Sequence, residues 1–97
     1  MKHVLCESVS PGMRPDERTV CIRDAVTRLR SFVRVETDYL TEHEGQYYLP
    51  VGIVQDAPDQ GFALIELTSA PDAGNARLWV RRSDFLQARK VPVQQIQ

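Results

Sequence analysis

The side chains of this sequence that could bind a metal ion are two histidines and two cysteines: His3, Cys6, Cys21 and His43. Zinc is held by three or four imidazole or thiolate ligands in a tetrahedron, and these ligands usually come in closely spaced pairs such as C-x2-C or H-x3-H. Only His3 and Cys6 approach that spacing. We therefore predict no metal site and no cofactor, and we interpret the cysteines as reduced, buried thiols.

Two further groups could take part in catalysis. Cys21 would need a neighbouring base and a lowered pKa to act as a nucleophile, but its place beside an apolar stripe is also typical of a small buried side chain. In the segment TEHEG, His43 stands between Glu42 and Glu44, and a carboxylate beside an imidazole supports acid–base chemistry. Because charged loop residues are usually solvated, we interpret this segment as a surface loop and predict a protein that is not an enzyme.

The charge balance argues against a dedicated nucleic-acid-binding protein. The 97 residues include 12 Lys and Arg against 13 Asp and Glu, which gives a net charge of −1, whereas nucleic-acid-binding domains are usually clearly basic. A chain of this length is expected to form one domain, residues 1–97. It shows no signal-peptide pattern and no apolar stretch long enough to span a membrane, so we predict a cytoplasmic protein.

The best helix candidate covers residues 17–33, ERTVCIRDAVTRLRSFV. Its apolar residues follow the i, i+3, i+4, i+7 spacing of an amphipathic helix. Asp24 and Arg28 would form an i, i+4 ion pair on it. The alternative is a strand over residues 19–23 followed by a shorter helix, because three β-branched residues fall in that stretch. We favour the helix over the whole segment.

The rest of the chain predicts strands separated by turns. Strand patterns occupy residues 2–9, 32–40, 46–56, 62–67, 77–81 and 90–93. The loops at 56–61 and 69–75 are short, so the strands at 46–55, 62–68 and 76–82 most simply form an antiparallel meander.

Residues 32–93 resemble an SH3-like small barrel. A strand at 32–36 leads into a long irregular loop at 37–46, a three-strand meander follows, and ARLWVRRSDFL runs into a one-turn segment before the last strand. The paired tryptophans of peptide-binding SH3 domains are missing, so binding of proline-rich peptides is not implied. In its size and its lack of motifs, the chain also resembles the proteins of integron gene cassettes, which are mostly of unknown function.

Together with the predicted helix, this resemblance implies an α+β fold. We expect an SH3-like antiparallel β-barrel or curled sheet of about five strands, preceded by an amphipathic helix at about 17–33. Residues 1–31 would form an N-terminal strand and helix extension, residues 32–93 the β-barrel, and residues 94–97 a frayed tail.

The segment NARLWVRRSDFL contains the only tryptophan of the chain. Strict alternation places Leu78 and Val80 on one face of a strand, and Arg77, Trp79 and Arg81 on the other. An exposed Trp79 between two guanidinium groups could stack on a nucleic-acid base or anchor a protein partner. Alternatively, the predicted helix or a second copy of the chain covers the indole ring.

The predicted helix also carries a basic ridge. Arg23, Arg30 and Arg34 fall within about 40° of one another on a helical wheel, and they could contact phosphate or carboxylate groups. The alternative is a solvated face whose arginines pair locally with Glu or Asp.

These features predict a non-catalytic binding module that self-associates as a homodimer or binds an unknown protein or peptide. The expected partner surface consists of Trp79, Arg77, Arg81, Tyr48, Arg23, Arg30 and Arg34. One alternative is a weak nucleic-acid-binding barrel, whose affinity would fall steeply with salt. Another is a small-molecule-binding protein or an enzyme, which would need a pocket with convergent polar groups.

Overall fold

A computed structural model describes residues 1–87, which form two antiparallel β-sheets. In chain order the strands are β1 (Lys2–Leu5), β2 (Ser8–Pro11), β3 (Glu17–Arg23), β4 (Arg30–Glu36), β5 (Thr41–His43), β6 (Gln46–Ala57), β7 (Phe62–Leu67) and β8 (Arg77–Arg81). Single turns of 3-10 helix are present at Thr37–Tyr39, Pro58–Gln60 and Arg82–Asp84. The strand predicted at 90–93 and the frayed tail predicted at 94–97 lie outside the described residues.

The five-stranded sheet is organised around β6, which is long enough to pair with three strands. β1 runs along one edge of β6, while β5 and β7 follow each other along the opposite edge. β8 pairs with β7 in antiparallel register, so the predicted meander of three strands is confirmed. A bulge between Ile53 and Gln55 shifts the register of β6 against β7 and changes which side chains of β6 face outward.

The three-stranded sheet has the order β2-β3-β4, and it overturns the predicted helix. Residues 17–33 form β3, a turn and most of β4, with Glu17 opposite Glu36 at one end and Arg23 opposite Arg30 at the other. In β4 the buried side chains are Ser31, Val33 and Val35, at every second residue, which is the period of a strand. The alternative of a strand at 19–23 is confirmed, but no helix follows that strand.

The turn between β3 and β4 is built by Asp24, and it explains why a helix does not form. The Asp24 carboxylate accepts the backbone N–H of Val26 at 2.7 Å and that of Thr27 at 2.8 Å. Such an Asx turn offers the backbone an alternative to helical hydrogen bonds. Arg28 then takes a left-handed conformation with φ of 69°, and its N–H donates to the Asp24 carbonyl oxygen. The predicted Asp24–Arg28 ion pair is replaced by this turn.

The apolar faces of the two sheets pack against each other to form one core. The chain passes from one sheet to the other at Cys6 and Glu7, between β1 and β2. The largest fully buried side chains come from both sheets: Val4, Val20, Ile22, Val33, Leu49, Val51, Ile65 and Leu78.

The fold class predicted above is therefore wrong. The described strands form two separate antiparallel sheets and do not close into an SH3-like barrel, and no helix longer than a single 3-10 turn occurs among them. No helix in residues 1–87 is long and apolar enough to cross a membrane.

Candidate functional site

The tryptophan strand has the alternation that its sequence predicts. Leu78 and Val80 are buried in the core, with 1% and 3% of their surface exposed. Arg77 and Arg81 are exposed on the opposite face, and Trp79 lies between them, partly buried. Trp79 therefore lies on the outer face of the five-stranded sheet, away from the core.

The cross-strand register shows what surrounds Trp79 on this outer face. Trp79 is opposite Leu64 of β7, and the next pair along the same two strands on this face joins Arg81 to Phe62. Both Leu64 and Phe62 are partly buried. Directly opposite side chains in a sheet lie about 5 Å apart at their Cβ atoms, so these residues form one continuous surface. We call Trp79, Leu64 and Phe62 the aromatic strip.

The backbone of Trp79 is held by the turn between β3 and β4. The Trp79 N–H donates to Oδ2 of Asp24 at 3.0 Å, and the Ala25 N–H donates to the Trp79 carbonyl oxygen at 2.7 Å. The alternative in which an N-terminal helix covers the indole ring is wrong, because that helix does not exist. This edge of β8 is instead fastened by a turn from the other sheet.

Asp24 is buried and makes this tether as an anion. Burial by itself would raise the pKa of its carboxyl group, but the backbone N–H groups of Thr27, Trp79 and Val26 outweigh that cost and hold the pKa below its usual value. The carboxylate therefore accepts three backbone donors at neutral pH.

Tyr48 does not join the surface around Trp79. Along β6, the residue level with Leu64 and Trp79 is Gln55, whereas Tyr48 pairs with Leu5 and Thr41 near the other end of the strand. Seven residues at 3.3 Å each separate Gln55 from Tyr48 by roughly 23 Å. The predicted grouping of Tyr48 with the tryptophan is therefore wrong.

The three arginines of the predicted ridge share one face, but that face belongs to the three-stranded sheet and not to a helix. Arg23 and Arg30 are directly opposite each other on β3 and β4, and Arg34 follows Arg30 on the same side of β4. They lie on a different sheet from Trp79, although Arg23 and Arg81 both line a pocket between the two sheets. The predicted partner residues therefore do not form one continuous surface.

The arginines on both sheets are largely neutralised by neighbouring carboxylates. Glu7 receives hydrogen bonds from both Arg23 and Arg30, with the closest contact of 2.8 Å from Nη2 of Arg23. Arg34 makes a two-pronged pair with Asp72, whose shorter contact is 2.6 Å. On the outer face of the five-stranded sheet, Nε of Arg77 lies 3.6 Å from Oε2 of Glu66.

These pairs agree with the alternative prediction, in which the arginines of the ridge pair with neighbouring Glu or Asp side chains. Exposed pairs of this kind contribute little to stability, so their main effect is to cancel local charge. Of the predicted site arginines, Arg81 alone has no ion pair within residues 1–87.

The two thiols are poor nucleophiles in this environment. Cys21 is 3% exposed, and Sγ lies 3.7 Å from Oε1 of Glu7. Burial, followed by the negative charge of Glu7, raises the pKa of the Cys21 thiol. Burial also raises the pKa of Cys6 to about 12. Both side chains therefore remain protonated at neutral pH, whereas the thiolate is the reactive form.

The histidines lie beside an open groove of about 910 Å³ at one end of the five-stranded sheet. His3 and His43 both line this groove, and Nε2 of His43 is 3.5 Å from a carboxylate oxygen of Glu44. The Glu44 side chain is 82% exposed, so this pair belongs to a solvated turn. Within residues 1–87, no three potential metal ligands come together.

Sequence reasoning missed the residues that join the sheets. Besides Asp24, Ser31 both donates to the Asn75 carbonyl oxygen at 2.8 Å and accepts the Asn75 N–H at 2.9 Å. Phe32 exchanges backbone hydrogen bonds with residues 72–73 of the same loop. The turn at Asp24 could have been predicted from the sequence, because an aspartate that follows a run of β-branched residues is typical of a turn. The partners of Ser31 and Glu7 are distant in sequence and left no such signal.

No protein-family model matches this chain, and neither a curated protein nor a solved structure matches it. Only the geometry of the surfaces described above therefore bears on the function of this protein.

Proposed function

We propose that this protein is a non-catalytic binding module that self-associates through the outer face of its five-stranded sheet. The observation that carries the proposal is the aromatic strip, in which Trp79 lies directly beside partly exposed apolar neighbours on a face turned away from the core. Tryptophan is enriched among the residues that dominate binding energy in protein interfaces.

The strip is supported by a backbone that is already ordered. β8 pairs with β7 on one side, and Asp24 and Ala25 fasten Trp79 on the other. A surface that needs no ordering on binding loses less conformational entropy, and this favours association.

The charges around the strip suit a second copy of the same chain. On one side Arg77 lies beside Glu66, and beyond Phe62 Arg82 makes a two-pronged pair with Asp56, with a shorter contact of 2.9 Å. A two-fold dimer brings the same patch of both subunits together, so a patch of a single sign would repel itself. Arg77 and Arg82 each have an adjacent anion, which reduces that repulsion, while Arg81 on the same face has no ion pair within residues 1–87.

The same ion pairs weigh against the nucleic-acid alternative. A phosphate backbone is bound by unpaired basic side chains that release counterions. Here Arg23, Arg30, Arg34 and Arg77 already contact carboxylates, which would compete with phosphate for them. A protein surface that offers apolar contacts is the better match for the aromatic strip.

Sedimentation over a concentration series tests the proposal. We expect the wild-type protein to form a dimer as concentration rises, and Leu64→Lys to remain monomeric because it puts a charge into the centre of the strip. Ser10→Lys, on an exposed position of the three-stranded sheet, is the matched control and should dimerise as the wild type does. A wild-type protein that stays monomeric at millimolar concentration would overturn the proposal.

Tryptophan fluorescence provides a second readout of the same surface. In the Leu64→Lys monomer, a soluble quencher should reach the Trp79 ring, and dimerisation of the wild type should protect the ring. A fully blue-shifted, unquenchable emission in the monomer would show that Trp79 is not available to any partner.

A further inference from the structure

A cavity of about 290 Å³ lies at the seam where the ends of β3 and β8 meet β1. Its floor includes the core side chains Val4, Ile22 and Val80, which are 1%, 2% and 3% exposed. Charged side chains from the turn after β3 and from the end of β8 surround its mouth. We call this cavity the seam pocket. Its volume lies just below the usual range for ligand sites, about 300–1,000 Å³.

Two arginines at the seam pocket differ from the others. Within residues 1–87, Arg28 and Arg81 are the arginines for which the structure shows no hydrogen-bonded or ion-paired acceptor for the guanidinium group. Both line the seam pocket. A guanidinium group has five donors in a planar fork that matches the oxygens of a carboxylate or phosphate.

The backbone segments that carry these two side chains are joined to each other. Arg28 is held at φ of 69° in the turn that Asp24 organises, and Arg81 ends β8, where it is paired with Phe62. The contact between Ala25 and Trp79 fastens that turn to β8. The two cationic groups are therefore carried by one ordered unit.

The other charged groups at the pocket leave a positive excess at its mouth. Arg23 also lines the pocket, but Glu7, the carboxylate beside it, is already bound by Arg23 and Arg30. Asp84 is the remaining carboxylate. It lies near Arg81 without an ion pair at 4.0 Å or less, and burial raises the pKa of its carboxyl group although Arg81 opposes that effect.

We propose that the seam pocket binds a small organic anion, whose carboxylate or phosphate group is held by Arg28 and Arg81 and whose apolar part lies on Val4, Ile22 and Val80. Charge-assisted, two-pronged contacts to arginine are among the strongest hydrogen bonds in proteins, and the floor excludes water from one side of the ligand. Asp84 opposes the ligand charge and therefore weakens binding while it is ionised.

Titration of the ¹⁵N-labelled protein, followed by NMR, tests the proposal with defined probes. Benzoate and phenyl phosphate carry the two candidate head groups on one apolar ring, and benzyl alcohol is the uncharged control. We expect both anions to shift the signals of Val4, Ile22, Val80 and the side chains of Arg28 and Arg81, and benzyl alcohol to bind at least about tenfold more weakly. Comparison of the two anions shows which head group is preferred.

Four variants sharpen the test. Arg28→Asn, which suits a left-handed backbone, and Arg81→Gln should each weaken binding of the preferred anion about tenfold. Asp84→Asn should strengthen binding, because it removes the opposing carboxylate. Arg14→Gln removes an exposed arginine that does not line the pocket and should leave the affinity unchanged.

The proposal is overturned if the anions shift signals elsewhere on the surface and not those of the seam pocket. It is also overturned if both arginine variants are folded and still bind the anions as tightly as the wild type does. The Leu64→Lys monomer retains every residue of the seam pocket, so binding can be measured in the absence of self-association, which could otherwise cover Arg81 opposite Phe62. Binding by that monomer supports the pocket even if the wild type does not dimerise.

Discussion

The backbone N–H of Trp79 donates a hydrogen bond of 3.0 Å to Oδ2 of Asp24, a residue 55 positions earlier in the chain. The other oxygen of the same carboxylate accepts the N–H groups of Val26 and Thr27. One buried side chain therefore shapes the turn of one sheet and fastens the edge strand of the other. This double role makes Asp24 the residue through which the turn and the tryptophan strand depend on each other.

Replacing Asp24 should destabilise the fold. Asp24→Ala removes the acceptor of three backbone N–H groups, and we expect a loss of about 2–4 kcal/mol in the free energy of unfolding. Asp24→Asn keeps one oxygen for Val26 and Thr27 but presents an amide group to the Trp79 N–H, so its loss should be smaller. Urea unfolding followed by circular dichroism measures both. A value for Asp24→Ala within about 0.5 kcal/mol of the wild type would contradict this role.

The pH dependence of the same variants checks that Asp24 acts as an anion. Folding lowers the pKa of Asp24. The contribution of its carboxylate to the free energy of unfolding is therefore complete above the ordinary aspartate pKa of about 3.9, and it is lost as the pH falls through the lower pKa of the folded state. The stability difference between wild type and Asp24→Asn should therefore shrink between about pH 5 and pH 2. A difference that stays constant over this interval would show that the charge is not involved.

Gly74 should tolerate no side chain. Its φ is 91°, and an added Cβ would lie 2.5 Å from the Arg30 carbonyl oxygen and 2.5 Å from Oγ of Ser31. We expect Gly74→Ala to cost about 2–4 kcal/mol, because both the backbone conformation and the close approach of the loop to β4 oppose it.

Gly45 is the matched control for that measurement. It also has a positive φ, of 81°, but nothing lies within 4 Å of the added Cβ. Gly45→Ala should therefore lower the free energy of unfolding by only about 1 kcal/mol, because the positive φ is unfavourable for alanine but no atom is crowded. Thermal or urea unfolding compares the two variants, and equal losses would mean that the loop at 74 does not dock closely on β4.

Glu7 should control the acidity of the Cys21 thiol. Burial is the larger cause of the raised pKa of Cys21, and the neighbouring Glu7 carboxylate adds to it. Glu7→Gln removes the negative charge and leaves the positive charges of Arg23 and Arg30 nearby, so the pKa of Cys21 should fall. The pH profile of iodoacetamide alkylation, read at each cysteine by mass spectrometry, should shift to lower pH at Cys21.

Glu66→Gln provides the control for the thiol experiment. Glu66 pairs with Arg77 on the outer face of the other sheet, and its loss should leave the alkylation profile of Cys21 unchanged. A profile for Glu7→Gln that coincides with the wild type would show that burial alone sets the pKa of this thiol.

The parts of the fold that could be predicted from sequence are those governed by short-range patterns. The predicted strands at 62–67 and 77–81 coincide with β7 and β8. A short, nearly continuous apolar run marks the first, apolar and polar residues alternate in the second, and short turns bound both segments. The same alternation correctly placed Trp79 on the outer face of its strand.

The helix prediction failed because two strands and a turn together imitated helical spacing. Val26 and Leu29 appeared to continue an apolar stripe, but they lie in the turn and are 59% and 62% exposed. The β-branched residues before Asp24 and the turn-forming carboxylate itself pointed to a hairpin, and tertiary contacts with the other sheet reinforced it. Period-two burial in β4 then left no helical face.

The composition of the site was less predictable than the strands, because it depends on pairing between distant segments. The ion pairs of Arg30 with Glu7 and of Arg34 with Asp72 bridge 23 and 38 positions of the chain. No local sequence pattern indicates such partners. For the same reason, the sequence does not show that Arg28 and Arg81 lack ion-pair partners within residues 1–87, whereas the structure does.

The two tethers between the sheets have a consequence for how the chain folds. The Asp24–Trp79 contact closes 55 positions and the Ser31–Asn75 contact closes 44. Non-local contacts of this kind require loop closure before they contribute, and they are associated with slow folding in β-rich domains. Each tether joins the hairpin of β3 and β4 to the meander of β6 to β8. We therefore expect the hairpin and the meander to acquire protection from hydrogen exchange together.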